Sequence, residues 1–134
     1  MSIKSKFGTV EDLISTVQWT DITDVSQLDT IEAESQSIPI VVFKYSTRCN
    51  LSTFMLKKFE KKFDFEAGEA KPYFLDLRAF RDISDEMATR YGIAHESPQI
   101  ILIKQGRAVY YANHEHIKFE NLKGEGLRMI ATTR

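Results

Sequence analysis

The stretch IVVFKYSTRCNLS, residues 40–52, carries the strongest structural signal in the chain. Its first six residues form a run rich in β-branched side chains, which is typical of a strand buried in the centre of a sheet. Pro39 precedes the run, at a position where a missing backbone N–H costs little. The next four residues, 46–49, are predicted to form a short loop. The stretch therefore predicts a buried strand that leads through this loop to Cys49.

A helical pattern follows the loop from Asn50. Leu51, Met55 and Phe59 recur at a spacing that places them on one helix face. Two further apolar residues, Leu56 and Phe63, widen that face. We expect this helix to end near Gly68, because glycine is common just beyond a helix C-terminus.

The rest of the chain alternates between strand and helix signals. Before residue 40, a weak strand signal at 17–19 precedes a helix at 25–36, and Asp24 and Gln27 form a capping pair at its start. After residue 68 we predict a strand at 73–77 and then a short helix, which Asp82 and Ser84 can cap and Gly92 can end. A hairpin follows, with strands at 99–104 and 107–113 around the turn Gln105-Gly106. The last predicted element is a helix at 117–132.

This order of elements, βαβαβαββα, predicts the fold class. The early βαβ units imply parallel strands with right-handed crossovers, and the late hairpin implies an antiparallel pair. We therefore expect an α/β fold with a mixed central sheet and helices on both faces. Residues 1–15 are polar and weakly patterned, so they are predicted to be an N-terminal extension or a short helix before a domain at 16–134.

Length, charge and cysteine content exclude several classes of protein. The chain has 134 residues, of which 43% are hydrophobic and 28% charged, which suits one domain with its own core. A net charge of -1 argues against nucleic-acid binding and against a polybasic membrane-surface protein. One cysteine excludes an internal disulfide. The longest apolar run, 38–43, is too short to span a bilayer, and we expect a soluble cytoplasmic protein.

Cys49 is the candidate nucleophile, because it stands between a buried strand and a helix start. The first amides of a helix lack internal partners, and the helix dipole is positive there, so both favour a thiolate. Arg48 is adjacent and Lys44 is close in sequence, which adds positive charge. Such surroundings lower a cysteine pKa from about 8.5. The alternative is a small buried apolar residue in the first helical turn.

Ser52 stands three residues after Cys49, which makes the motif CxxS. One helical turn separates the two residues, so the Ser52 hydroxyl can donate a hydrogen bond to a thiolate. It cannot form a disulfide, and a mixed disulfide at Cys49 would need an outside thiol to complete a cycle. The alternative for Ser52 is an ordinary polar residue of the first turn.

Cys49-x-x-Ser52 at a helix start, followed by Ser97-Pro98 before a hairpin strand, resembles the thioredoxin superfamily over about residues 16–134. Within that superfamily the chain resembles the YtxJ type, a family of small monothiol, bacilliredoxin-like proteins associated with the bacillithiol system. Three segments carry this closer resemblance: KYSTRCNLS at 44–52, HESPQ at 95–99, and NHEHI at 113–117.

The resemblance implies a monothiol oxidoreductase that removes bacillithiol, or a similar low-molecular-weight thiol, from S-thiolated proteins. We expect no bound cofactor. The resemblance implies that the Ser97–Pro98 peptide bond is cis and that this loop, through Ser97 and Pro98, contacts a substrate chain. We also assign Arg48 and His95 to substrate binding. The chain departs from ordinary thioredoxins, which have a second cysteine and which bury a carboxylate where Phe43 stands here. Dithiol reductase activity is therefore not expected.

Several alternatives remain at the level of sequence. His95 could shuttle a proton or pair with a thiolate, or it could be a surface loop histidine. His114 and His116 lack a third metal ligand, so no metal site is predicted. The chain could instead carry an iron–sulfur cluster, as monothiol glutaredoxins with a CxxS site do, although their CGFS signature is missing. It could also be a non-enzymatic binding module in which Cys49 is inert.

Overall fold

The computed structural model describes residues 17–47, 50–66 and 68–127. Within these ranges the strands are β1 (Thr20–Asp21), β2 (Ile40–Tyr45), β3 (Lys71–Asp76), β4 (Gln99–Lys104) and β5 (Arg107–Asn113). The helices are α1 (Gln27–Glu34), α2 (Asn50–Lys62), α3 (Arg81–Tyr91) and α4 (Phe119–Leu127), with a short 3-10 helix at His114–His116. The order of strands and α-helices is the predicted βαβαβαββα, and the α/β class is confirmed.

The five described strands form one mixed sheet in the order β1-β3-β2-β4-β5. β2 pairs with β3 in parallel and with β4 in antiparallel orientation, so it lies in the middle of the sheet. All six of its residues are buried, as the β-branched run predicts. Gln105 and Gly106, with φ of 52° and 78°, form the tight turn that reverses the chain into β5.

The two faces of the sheet are covered by different pairs of helices. α2 and α4 cover the side that we call the aromatic face, where rings of Trp19, Phe43, Tyr45, Phe59, Phe74 and Phe119 pack together. α1 and α3 cover the side that we call the aliphatic face, whose buried residues include Leu28, Ile31, Ile40, Val42, Ile83, Met87, Ile101 and Ile103. Alternating residues of β2 thus contribute to both cores, as the period of a strand requires.

The predicted first strand is displaced from its expected position. Val17 and Trp19 are buried side chains of the aromatic face, whereas the strand itself consists of Thr20 and Asp21. The Trp19 indole N–H donates a hydrogen bond to a Glu60 carboxylate oxygen at 2.6 Å. The prediction of a strand at 17–19 was wrong because these apolar residues alternate to anchor the chain on the core, not to pair with a neighbouring strand.

The helix after Cys49 ends at Lys62, well before Gly68. Phe63 and Phe65 both pack against Phe119, with ring centroids 5.4 and 5.3 Å away. Residues two apart point to different sides of a helix, so the chain must leave the helix for both rings to reach the same partner. The longer helix predicted from the sequence is therefore wrong at its end.

The start of α1 follows the sequence prediction, although the helix is shorter than 25–36. The Gln27 side-chain oxygen accepts hydrogen bonds from the N–H groups of Thr23 and Asp24, at 2.7 and 3.0 Å. An Asp24 carboxylate oxygen accepts from the Ser26 N–H at 2.8 Å. The predicted pair is therefore hydrogen-bonded at the start of the helix, but the N-cap residue is Ser26, and its side chain makes no capping hydrogen bond.

The predicted caps of α3 are wrong at its start and right at its end. The helix begins at Arg81, so Asp82 and Ser84 lie inside it, and Ser84 is fully buried. Gly92 ends the helix with φ of 70°, and its N–H donates to the Ala88 carbonyl at 2.9 Å. A buried polar side chain needs a partner, and Ser84 finds one on the loop that follows.

Three other boundaries differ from the predictions. β3 begins at Lys71, before the predicted strand at 73–77. α4 begins at Phe119, because the 3-10 helix and the extended, buried Ile117 precede it. The predictions for residues 1–15 and for the end of the last helix lie outside the described residues. None of the helices in the described ranges is long and apolar enough to cross a membrane.

Candidate functional site

The predicted site lies at one edge of the sheet. β2 and β3 run in parallel and both end there, and β4 begins there because it runs antiparallel to β2. Gln99, the first residue of β4, pairs with Lys44 near the end of β2. The loops after β2 and β3 and the loop before β4 therefore meet at this edge, although they are far apart in sequence.

Ser52 joins two of these loops. Its side chain is fully buried, and its hydroxyl oxygen accepts a hydrogen bond from the Ser46 N–H at 3.3 Å. The Ser52 and Ser97 hydroxyls lie 3.4 Å apart and share a second hydrogen bond. Ser52 thus holds the loop that leads to Cys49 against the loop of Ser97 and Pro98. It is more than an ordinary polar residue of the first turn.

The loop before β4 is itself fixed by hydrogen bonds. The Ser97–Pro98 peptide bond is cis, and the Pro98 carbonyl accepts from the His114 N–H at 2.9 Å. The side-chain N–H₂ of the buried Gln99 donates to the Ala94 carbonyl at 3.0 Å and to the Asn113 side-chain oxygen at 2.8 Å. These contacts, which sequence reasoning missed, attach the loop at both ends to the start of β4 and the end of β5.

Arg48 and Cys49 lie outside the described residues, so their roles remain predictions. Their neighbours in the sequence are described. Thr47 accepts a hydrogen bond from an Arg78 guanidinium N–H at 3.3 Å, and the hydroxyls of Thr53 and Tyr45 are 3.0 Å apart. The described residues on both sides of Cys49 are therefore bonded to other parts of the site edge.

His95 is half-buried and anchored to α3. Its Nδ1 lies 2.7 Å from the Ser84 hydroxyl oxygen. Burial lowers the pKa of His95, and the positive charges of Arg81 and Lys44 lower it further, while Asp85 and Glu96 act in the opposite direction. His95 is therefore neutral at pH 7, when one ring nitrogen accepts and the other donates. The bond to Ser84 distinguishes it from an unattached surface histidine.

Lys44 is a buried cation that the sequence analysis treated only as nearby positive charge. Its side chain is fully buried, and its Nζ has no hydrogen-bond partner among the described residues. Burial lowers the pKa of Lys44 to about 8, with Arg81 adding to the shift and Asp85 opposing it. One signal could have revealed this group: it is the single charged residue in the buried run of β2.

A cavity of about 410 Å³ opens beside these residues. It is lined by Ser46, Leu77, Arg78, Arg81, His95 and Ser97. The two arginines belong to the β3–α3 connection and the start of α3, and sequence reasoning did not select them. The structure therefore places Ser52, His95, Ser97 and Pro98 at one edge of the sheet, together with two guanidinium groups.

The other two histidines lie just beyond β5. His114 and His116 lie in the 3-10 helix and not on the end of β5. His114 Nε2 is 3.1 Å from a Glu96 carboxylate oxygen. In the part of the chain that the structure describes, no three His, Asp or Glu residues lie close enough to hold a metal ion together.

A sequence model of a known family matches most of the chain. The family is described as monothiol bacilliredoxin BrxC, and the match spans residues 20–122, including Cys49, Ser52, His95 and Ser97-Pro98. The chain belongs to this family. Membership in this family supports a thiol oxidoreductase-like role for the chain. This is the general class of function to which the predicted activity of Cys49 belongs.

Solved structures with the same fold agree with this assignment. One, described as having a thioredoxin fold, is 25% identical with a TM-score of 0.67, over 78% of this chain and 90% of that one. A thioredoxin of Malassezia sympodialis is 17% identical with a TM-score of 0.65, over 84% and 91% of the two chains. A thioredoxin of Trypanosoma brucei brucei is 18% identical with a TM-score of 0.59, over 81% and 87%. The thioredoxin fold is confirmed.

Proposed function

We propose that the chain is a monothiol thiol-disulfide oxidoreductase that removes bacillithiol, or a similar low-molecular-weight thiol, from protein mixed disulfides through Cys49. The proposal rests on one observation above all. The chain belongs to the monothiol bacilliredoxin family, and its match includes the lone cysteine together with the residues that join at the site edge. Because the reaction needs a reduced thiol pool, the proposal places the protein in the cytoplasm.

The proposed cycle has two exchange steps. In the first, the Cys49 thiolate attacks the small thiol's sulfur in the mixed disulfide, a new disulfide forms between Cys49 and the small thiol, and the target protein's sulfur leaves as a thiolate. In the second, a free small thiol attacks this adduct, which releases the symmetrical small-thiol disulfide and restores the Cys49 thiolate. Each cycle consumes one free small thiol: the mixed disulfide and this thiol are converted to the free thiol of the target and the symmetrical disulfide, and no second protein cysteine is required.

The described residues support this cycle by holding two loops together. Ser52 connects Ser46, three residues before Cys49, to Ser97. A substrate chain that binds along the exposed backbone before Pro98 would then be presented to a fixed partner loop. His95, neutral at pH 7, could accept the proton of an incoming thiol. Arg48 is proposed to stabilise the thiolate by its charge.

The test is release of bacillithiol from a peptide mixed disulfide, followed by the intact mass of the protein. We expect the wild-type chain to gain the mass of one bacillithiol while the peptide is reduced. Cys49→Ser should abolish both events, since no other residue can carry the thiol. If Cys49→Ser retains full activity, the enzyme proposal is wrong and a binding module takes its place. An iron–sulfur absorbance after anaerobic reconstitution would favour a cluster carrier instead.

Two changes at Ser52 separate its roles. Ser52→Ala removes the hydroxyl that joins Ser46 to Ser97, and turnover should fall by about tenfold, the effect of roughly 1.4 kcal/mol. The bacillithiol adduct should still form. Ser52→Cys places a second thiol one helical turn from Cys49, and it should allow an internal disulfide that replaces the adduct. An unchanged rate in Ser52→Ala would contradict the loop-holding role.

A further inference from the structure

The cavity beside Ser97 is lined mainly by groups that suit an anion. Arg78 and Arg81 contribute two guanidinium groups, and Ser46 and Ser97 contribute two hydroxyls. His95 adds a ring nitrogen that can donate a hydrogen bond. Among the described residues that line it, Leu77 is the one apolar residue. A volume of about 410 Å³ is within the range of roughly 300–1,000 Å³ found for small-ligand sites.

Both arginines retain donors for a ligand. An Arg78 Nη1–H donates to the Thr47 hydroxyl at 3.3 Å, and the Arg81 Nε–H donates to an Asp85 carboxylate at 3.1 Å. A guanidinium has five N–H donors, so these contacts leave others on each side chain. The Arg81–Asp85 pair is about 60% exposed on both sides, so water weakens it. A ligand carboxylate that accepts from both arginines would make more charge-assisted hydrogen bonds than Asp85 makes with Arg81 alone.

A further positive charge acts on two residues that line the cavity. Lys44 is fully buried, its Nζ has no hydrogen-bond partner among the described residues, and its charge acts on Arg81 and on His95. The acidic groups near His95 are Asp85 and Glu96. Asp85 bonds Arg81 and Glu96 bonds His114. An unpartnered buried cation is costly, and an anion placed nearby would lower that cost.

We propose that this cavity is a carboxylate-binding subsite that holds the acidic part of the low-molecular-weight thiol while its sulfur reacts at Cys49. Arg78 and Arg81 would bind the carboxylates, and Ser46 and Ser97 would complete the hydrogen bonds. The proposal rests on the proposed function, because it assigns a binding site to the thiol of that reaction. The cavity would therefore favour small thiols that carry carboxylates over neutral or cationic small thiols.

The first experiment measures the preference for a charged thiol. One peptide is prepared as a mixed disulfide with mercaptosuccinate, which carries two carboxylates, with neutral thioglycerol, or with cationic cysteamine. The rate of thiol transfer to the protein is compared between the wild type and Arg78→Gln or Arg81→Gln at low salt. Each variant should slow transfer of mercaptosuccinate by about tenfold and change thioglycerol transfer less than twofold.

Arg107→Gln is the matched control. Arg107 is an exposed arginine at the start of β5, beside the end of β4 that lies away from the site. The Arg107→Gln substitution removes the same charge from the protein without changing a residue of the cavity. It should therefore leave the transfer rates of all three small thiols unchanged. If it slows mercaptosuccinate transfer as much as the cavity variants do, the effect is one of overall charge and the subsite is wrong.

The second experiment tests the cavity without any thiol chemistry. Succinate, a dicarboxylate without sulfur, is titrated into the wild-type chain while the NMR signals of the His95 ring and the arginine Nε–H groups are followed. We expect saturable shifts that Arg78→Gln and Arg81→Gln weaken and Cys49→Ser retains. No transfer from any mixed disulfide would overturn the proposed function, while saturable succinate binding would still support the subsite.

Two results would overturn the subsite itself. The first is that tens of millimolar succinate leaves the His95 and arginine signals unmoved while the thiol transfer proceeds normally. Alternatively, the cavity variants could respond to acidic residues placed in the peptide and not to the charge of the small thiol. That second result would assign the arginines to the protein substrate.

Discussion

Phe43 and Lys44 are neighbours on β2, and both are fully buried, yet their surroundings are opposite. Phe43 faces a cluster of rings, with the centroid of Trp19 6.1 Å away and that of Phe59 5.9 Å away. Lys44 faces the other side of the sheet, where its ammonium group has no hydrogen-bond partner among the described residues. The burial of Phe43 stabilises the fold, whereas the burial of Lys44 disfavours its charged form.

The difference extends to the two faces of the sheet. On the aromatic face β2 contributes Val41, Phe43 and Tyr45, none of which carries a charge. The aliphatic face carries buried polar side chains at its site end: Lys44, Ser84 and Gln99. Ordinary thioredoxins bury a carboxylate at the position of Phe43. Here the buried ionisable group of β2 lies one residue later, on the opposite face, and it is a cation.

The largest effect is expected from Phe43→Ala, which removes a ring from the core of the aromatic face. Loss of a buried ring that contacts two others should lower the free energy of unfolding by about 3–5 kcal/mol. Urea unfolding measures this loss. Val109→Ala, at a residue 38% exposed on β5, is the control and should cost less than about 1 kcal/mol. A comparable loss in both variants would contradict the central role of the ring cluster.

A smaller, pH-dependent effect is expected from Lys44→Met. The pKa of Lys44 falls from 10.5 to about 8 on folding, so between these values the unfolded chain binds more protons. The free energy of unfolding should therefore rise with pH, by about 1 kcal/mol between pH 7 and 9. Lys44→Met should be the more stable protein at pH 7, and it should lose this rise.

Lys104→Met is the matched control for the buried lysine. Lys104 is also buried, but its ammonium donates to the carbonyls of Glu125 and Gly126 at 3.2 and 3.1 Å. Its removal should destabilise the protein, because two carbonyls near the end of α4 lose their donor. If the free energy of unfolding changes by the same amount between pH 7 and 9 in the wild type and in Lys44→Met, Lys44 is not the titrating group.

The smallest effect is expected from Ser84→Ala, which tests a buried polar side chain of the aliphatic face. The change removes one hydrogen bond to His95 Nδ1 and should cost about 1 kcal/mol of unfolding free energy. The His95 ring signals in an NMR spectrum should move, while those of Phe43 and its partners stay in place. Unchanged His95 signals would show that the Ser84 contact does not orient the ring.

The sequence by itself determined the features that depend on residues close together in the chain. The order of elements follows from hydrophobic period, the hairpin from Gln105-Gly106, and the end of α3 from Gly92. The hydrogen bond between the Asp24 N–H and the Gln27 side chain at the start of α1 is equally local. The grouping of Ser52, His95 and Ser97 at one edge was expected from the resemblance to thioredoxins, and their contacts were not.

Only the tertiary structure decided the features that depend on distant residues. α2 ends early because Phe63 and Phe65 meet Phe119, more than fifty residues later. Ser84 was predicted as a cap, but it is buried, with its hydroxyl 2.7 Å from His95 Nδ1. Whether Lys44 is solvated or buried depends on what covers that face of β2. Arg78 and Arg81 become a site only where three loops meet. Local pattern reports a residue's own preference, whereas burial and charge pairing depend on partners that folding brings together.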